Sequence, residues 1–73
     1  MNTLRYAIVI EKAESNYVGY VPDLPGCVAT GATVQDVEAG LRKAIVFHLG
    51  GMREDGLPVP PPASVVAYLD VAA

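Results

Sequence analysis

Residues 20–33 place two prolines and two glycines around one apolar residue, Leu24, between two segments rich in β-forming residues. The prolines fix φ and remove two backbone donors, which excludes a central strand. The glycines allow backbone angles that other residues avoid. The run therefore predicts a stiff, exposed corner between two strands, because a flexible linker would not need this rigidity.

The segments on either side of this corner have the alternation of strands. Alternating apolar side chains predict a first strand over residues 4–11, and the polar residues 13–16 predict a hairpin turn. The second strand is expected over 17–21, where Gly19 permits either a bulge or a close approach by another backbone or side chain. A short third strand is expected over 27–30.

A single helix is predicted after the third strand. Thr33 is a suitable N-cap with Asp36 three residues further on, so the helix is expected to begin at Val34. Gly40 predicts that the helix crosses the sheet closely, and Asp55-Gly56 predicts its end. The apolar face is expected to contain Val34, Val37, Leu41, Ala44, Ile45, His48 and Met52.

The remaining residues predict a proline-rich strap over 57–62 and a final strand over 64–71. The chain is therefore expected to form a single α+β domain over residues 1–73. Its three-strand antiparallel meander, crossover helix and fourth strand parallel to the first give the spatial order 3-2-1-4. This order is partly ribonuclease-H-like, and it leaves one sheet face open.

The composition predicts self-association. A chain of 73 residues that is 52% hydrophobic, with a mean hydropathy of +0.35, has little interior in which to bury its apolar side chains. A dimer or a multiple of it is therefore expected. The candidate contacts are Tyr6, Tyr17, Tyr20 and Tyr68 on the open sheet face, and Val46 and Phe47 on the helix.

The charge of the chain favours a basic protein as partner over nucleic acid, since the net charge is −3 and the pI about 4.7. The basic residues of the helix do not form a stripe. Cys27 is the only cysteine, which excludes an intrachain disulfide and favours a reducing compartment. We find neither a signal segment nor an apolar run long enough for a bilayer, and we expect a cytoplasmic protein without membrane contact.

Several motifs in one order resemble HicB-like antitoxins. The resemblance spans nearly the whole chain, and the matching positions are Tyr6, Asp23-Leu24-Pro25-Gly26-Cys27, Thr33, Ala44, Leu49, Gly56 and Pro60. It implies a partner of the HicA type, a small basic RNA-cleaving toxin that the domain binds and silences. HicB antitoxins usually continue into a DNA-binding segment. None follows Ala73, so we expect no direct DNA binding.

The corner is the predicted partner-binding site. Leu24 is expected to point outward between rigid prolines, and Asp23 is the candidate for a charged contact with a basic partner. The alternative is that Leu24 folds back to plug the end of the sheet while Asp23 accepts hydrogen bonds from turn amides. The predicted contact residues are Tyr20, Pro22, Asp23, Leu24 and Pro25.

Two other functions are compatible with the sequence. One is a structural or regulatory homo-oligomer without a toxin partner. The other is a small ribonuclease-H-like hydrolase using Glu11, Asp23 and Asp70 for magnesium, although these residues lie at strand ends and on the corner. His48 and Cys27 are expected to pack structurally. We therefore predict a non-enzymatic protein that uses neither a metal nor a cofactor.

Overall fold

A computed structural model describes residues 3–73 of the chain. The strands β1 (Val9–Lys12), β2 (Tyr17–Tyr20) and β3 (Val28–Gly31) precede one helix, α1 (Val34–Glu54). The strands form an antiparallel sheet in the order β1-β2-β3, and α1 packs on one face of it against β2 and β3. The predicted α+β meander followed by a helix is confirmed.

The first strand is shorter than the predicted span of residues 4–11. Its last pair toward the corner is Val9 with Tyr20. Beyond that pair the second chain segment turns away at Val21, and the next residue is Pro22, which has no N–H to donate. Residues 4–8 therefore continue past the ladder formed with β2.

The helix begins and ends where its local signals predict. The Thr33 Oγ1 atom accepts a hydrogen bond of 3.1 Å from the Asp36 N–H, which satisfies one free donor of the first turn. At the other end Gly56 has φ of +69°, and the Leu57 N–H donates to the Met52 carbonyl at 2.8 Å. This six-residue closure is a Schellman motif, which needs a left-handed residue at the position of Gly56.

Two glycines let the helix approach the sheet closely. A Cβ atom on Gly19 would lie 2.5 Å from Val37 Cγ1 and 2.9 Å from Leu41 Cδ1, and one on Gly40 would lie 3.0 Å from Ala29 Cβ. Both predicted close approaches are confirmed. The core therefore lies between the helix and β2, where no larger residue than glycine fits the present spacing.

The core is small and half of it comes from the corner. Its six buried apolar side chains are Val21, Leu24, Cys27, Val37, Leu41 and Leu49. The predicted structural packing of Cys27 is thus confirmed, and His48 lies half-buried on the helix.

The expected fourth strand over residues 64–71 is not formed within the described chain. Residues 57–73 have no regular secondary structure, and residues 61–73 are exposed throughout. The order of three strands is therefore 3-2-1, and the ribonuclease-H-like order with a parallel strand beside β1 is absent from residues 3–73. The physical reason is that a strand needs a ladder partner, and this segment leaves the sheet before it reaches one.

The register shows which side chains lie on the open face of the sheet. Gly19 faces the helix, so its neighbours Val18 and Tyr20 face the other side, in rows with Val9 and Val28. Tyr20 therefore lies on the open face, as expected. Tyr6 and Tyr17 do not, because both pack against the core on the helix side, and the prediction that they lie on the open face was wrong.

Candidate functional site

The corner consists of two consecutive tight turns that share Leu24. The Leu24 N–H donates to the Val21 carbonyl and the Cys27 N–H donates to the Leu24 carbonyl, both at 3.1 Å. A third bond of 3.2 Å, from the Val21 N–H to the Cys27 carbonyl, closes the loop. The Pro-Gly pair fills the central positions of the second turn, and its glycine, Gly26, has φ of +91°, which is the geometry of a type II turn.

Because the turns repeat every three residues, they point Val21, Leu24 and Cys27 to the same side, into the core. Leu24 is 0% exposed. The prediction that Leu24 points outward was therefore wrong, and the alternative, in which it plugs the end of the sheet, is confirmed. The signal was present in the sequence as an apolar residue at every third position, each of the first two followed by proline.

Asp23 is a strong acceptor for the chain that follows the proline strap. Its Oδ2 atom accepts hydrogen bonds from the N–H groups of Ala63 at 2.9 Å and Ser64 at 3.0 Å, and its Oδ1 atom accepts one from Ser64 Oγ at 2.8 Å. The Ala63 amide first, and then the Ser64 amide and hydroxyl, lower the pKa of Asp23 below its usual 3.8. The alternative interpretation expected Asp23 to accept hydrogen bonds from amides of the turn. Asp23 does accept hydrogen bonds from amides, but these amides belong to a segment 40 residues away.

The exposed part of the corner therefore consists of apolar side chains near the Asp23 carboxylate, which already accepts hydrogen bonds from Ala63 and Ser64. Pro22 and Pro25 are exposed at the turn tips, and Tyr20 is 40% exposed on the open sheet face. Tyr20 is directly opposite Val28, which is 62% exposed. Two turns and a strand pair hold these groups rigidly, so they would lose little conformational entropy on binding.

The other predicted contact residues lie apart from this surface. Val46 and Phe47 are exposed on the helix, and Tyr68 is exposed on the irregular segment after the strap. Their exposure leaves them free for a partner. A contact with a second copy stays a prediction for all three.

A groove between residues 4–8 and the helix is the feature that the sequence interpretation missed. It has a volume of about 540 Å³. Its apolar lining includes Ile8, Leu41, Ile45 and Leu49, and its charged lining includes Arg5, Arg42 and Arg53. The helix arginines do not form a stripe by themselves. The basic lining of the groove forms because the fold brings Arg5, which is distant in sequence, to the same groove as Arg42 and Arg53.

The carboxylates of the nuclease alternative do not come together. Among residues 3–73, no group of three or more His, Cys, Asp or Glu side chains could hold a metal ion. Burial raises the pKa of the Cys27 thiol, whose Sγ lies 4.0 Å from the Ala44 carbonyl oxygen. A buried thiol with a raised pKa is a poor nucleophile.

Among residues 3–73, the one helix does not contain an apolar stretch long enough to cross a membrane.

The fold and the exposed corner together define a class, a small α+β domain with one helix on a three-strand meander and a rigid surface suited to protein contact. The family model described as the "HicB_like antitoxin of bacterial toxin-antitoxin system" matches residues 6–72. The chain belongs to the HicB-like antitoxin family.

Two individual proteins are similar to most of this chain. The chain is 38% identical over 65 residues to the "Uncharacterized 14.9 kDa protein in rep-hol intergenic region" of Haemophilus phage HP1, a match that covers 89% of this chain and 49% of that protein. It is 35% identical over 65 residues to a "UPF0150 protein" of Helicobacter pylori, covering 88% and 90%. The chain thus spans about half the length of the phage relative.

A solved structure has the same fold. A chain of the "HicA3 and HicB3 toxin-antitoxin complex" is 33% identical and superimposes with a TM-score of 0.67, over 81% of this chain and 70% of that one. At this identity the likeness supports family membership as well as fold.

Proposed function

We propose that this chain is a non-enzymatic, cytoplasmic antitoxin that binds and neutralises a HicA-like RNA-cleaving toxin. The observation that carries the proposal is the match to a chain of a toxin–antitoxin complex at 33% identity. The family assignment over residues 6–72 supports it as well. An acidic chain with a net charge of −3 also suits a basic partner, because opposite charges steer the encounter.

The proposed toxin-binding surface is the exposed side of the corner and the adjoining open sheet face. Tyr20 is its anchor, since a tyrosine ring gives a large apolar contact and loses little side-chain entropy. Pro22 and Pro25 extend this surface at the turn tips. Asp23 adds negative potential near the surface while it holds residues 63–64. Leu24 supports the surface from beneath, through the core.

The test of this surface is the affinity for a purified HicA-like toxin, measured by titration calorimetry. Tyr20→Lys removes the ring and adds a positive charge toward a basic partner. We expect the affinity to fall at least tenfold, which is about 1.4 kcal/mol. Helical circular dichroism should be unchanged, because the side chain is on the open face and outside the core.

Ser15→Lys is the matched control. It adds the same single charge on the exposed hairpin turn, at the opposite end of the sheet from the corner. The control should bind within about twofold of the wild-type chain. Equal affinity of the Tyr20 variant and the wild type would place the toxin elsewhere, and the absence of binding by the wild-type chain itself would overturn the proposed function.

A second candidate function, a structural or regulatory homo-oligomer without a toxin, is favoured by the many exposed apolar side chains. Val65, Tyr68 and Leu69 are among the most exposed of them. Such surfaces indicate association with protein. Self-association is compatible with toxin binding as well, and we propose that it occurs in either case, with the fourth strand forming only in the oligomer.

A further inference from the structure

The segment after the strap is apolar but has nothing to pack against in a single chain. Val65 is 90% exposed and Leu69 is 89% exposed, and Tyr68 and Val71 are exposed as well. The radius of gyration is 14.1 Å, whereas a compact chain of this length has about 11 Å. The longest dimension is 48 Å against 22 Å for the shortest, so this chain is much more elongated than a compact domain.

The free edge of β1 offers the hydrogen-bonding partner that this segment lacks. Within residues 3–73, β1 pairs only with β2, so its outer edge has unpaired N–H and carbonyl groups. The groove adjoins the start of that edge, beside residues 4–8, and its apolar floor is formed by Ile8, Leu41, Ile45 and Leu49. A strand parallel to β1 in the predicted order 3-2-1-4 would occupy this place.

The segment fits the groove in its apolar pattern. Its alternation places Val65, Ala67, Leu69 and Val71 on one side, which matches the apolar floor. The groove is lined by Arg5, Arg42 and Arg53 but only one acid, Glu38, while the segment carries Asp70 and no basic residue. Asp70 lies on the other side of the segment from Val65 and Leu69, so the fit to the groove rests on the apolar side.

Two anchors fix the point from which the segment departs. The Tyr6 hydroxyl donates a hydrogen bond to the Pro60 carbonyl, and Asp23 holds Ala63 and Ser64. The corner follows Tyr20 and Tyr20 pairs with Val9, so the segment starts at the end of the sheet where β1 begins. It starts in the right place for a parallel strand, yet it runs outward and leaves the groove open.

We propose that residues 64–71 form this fourth strand on a second copy of the chain. Each chain inserts its segment along the free edge of the other's β1, with the side carrying Val65 and Leu69 in the groove. The exchange is reciprocal and two-fold symmetric, so each copy completes the other's sheet. The proposal rests on the proposed self-association and does not depend on toxin binding.

The first test uses the molecular mass at micromolar concentration, measured by light scattering on the full chain. The wild-type chain should have twice its 7.7 kDa mass. Val65→Asp with Leu69→Asp should halve the measured mass and keep the helical circular dichroism, because both side chains are almost fully exposed in the single chain. A variant that remains dimeric would overturn the exchange.

Val28→Asp is the control that separates this arrangement from a dimer joined through open sheet faces. Val28 is an exposed residue of the open face, on the far strand from β1. The exchange predicts an unchanged dimer mass for this variant. Dissociation by Val28→Asp would place the interface on the open face and contradict the proposal, and a monomeric wild-type chain would contradict self-association itself.

The second test distinguishes exchange between chains from folding back within one chain. Leu4→Cys places a thiol beside the groove before the start of β1, and Val65→Cys places one at the start of the segment, which a parallel strand brings to the same end of the sheet. When the two single variants are mixed and treated with a short bismaleimide, a covalent dimer containing one chain of each kind should form. The wild type, whose cysteine is buried, is the unreactive control. A chain carrying both substitutions that links only within itself would overturn the proposal.

Discussion

At the scale of single residues, the prolines, Gly26 and Leu24 each have a distinct role in forming the corner. Proline sets φ at the second position of each turn, and Gly26 supplies the positive φ that the second turn requires. These turns fold Leu24 into the core and leave the proline rings outside. The same residues thus stabilise the fold with one side and present a surface with the other.

Substitution of Gly26 should destabilise the chain through backbone strain alone. No atom lies within 4 Å of the position that a Cβ would occupy, so the cost of Gly26→Val comes from φ of +91° and not from crowding. We expect a loss of about 1–3 kcal/mol in the free energy of unfolding. Thermal and urea denaturation will measure it.

Gly50→Ala is the control for this prediction. A Cβ atom on Gly50 would also meet open space, but this glycine lies inside the helix and has no positive φ. Alanine there should stabilise the chain by up to about 1 kcal/mol. An unchanged midpoint for Gly26→Val would show that the corner does not need its left-handed residue.

At the scale of elements, the features defined by local signals were predictable and those defined by distant pairing were not. The helix bounds follow from Thr33 and Gly56, which act within a few residues of the chain. The loss of residues 4–8 from the first strand depends on where β2 ends. Whether residues 64–71 form a strand depends on whether a free sheet edge is available to pair with them. The groove lined by arginines depends on Arg5 lying beside the helix. The alternation of apolar residues indicates neither feature.

The attachment of the strap to the corner should depend on pH. The hydrogen bonds from residues 63–64 lower the pKa of Asp23, so their contribution to stability is fully present above pH 3.8 and is lost as the pH falls through the lower pKa of the folded chain. An NMR titration should show the amide shifts of Ala63 and Ser64 following one transition below pH 3.8.

Asp23→Asn provides the control, since the amide keeps the shape of the side chain but does not titrate. The transition in the Ala63 and Ser64 amides should disappear in this variant. Its persistence would assign the titration to another carboxylate and would remove Asp23 as the anchor of the strap.

At the scale of the whole molecule, we propose that the excess of apolar residues serves surfaces that bind partners. Only six side chains are buried among the described residues of a chain that is 52% hydrophobic. Most of the exposed apolar groups lie on two surfaces, the corner with its open sheet face and residues 64–71 with the groove beside residues 4–8, while Phe47 and Leu57 lie outside both. We assign the first surface to the toxin and the second to another copy, so that both can be occupied together.

The central claim is that the chain silences a HicA-like toxin, and the most direct measurement is the rate of RNA cleavage by a purified HicA-like toxin at increasing concentrations of this chain. We predict that cleavage falls to background at about one chain per toxin, as tight one-to-one binding requires. Cleavage that continues at its full rate with a roughly tenfold excess of the folded chain would contradict the claim.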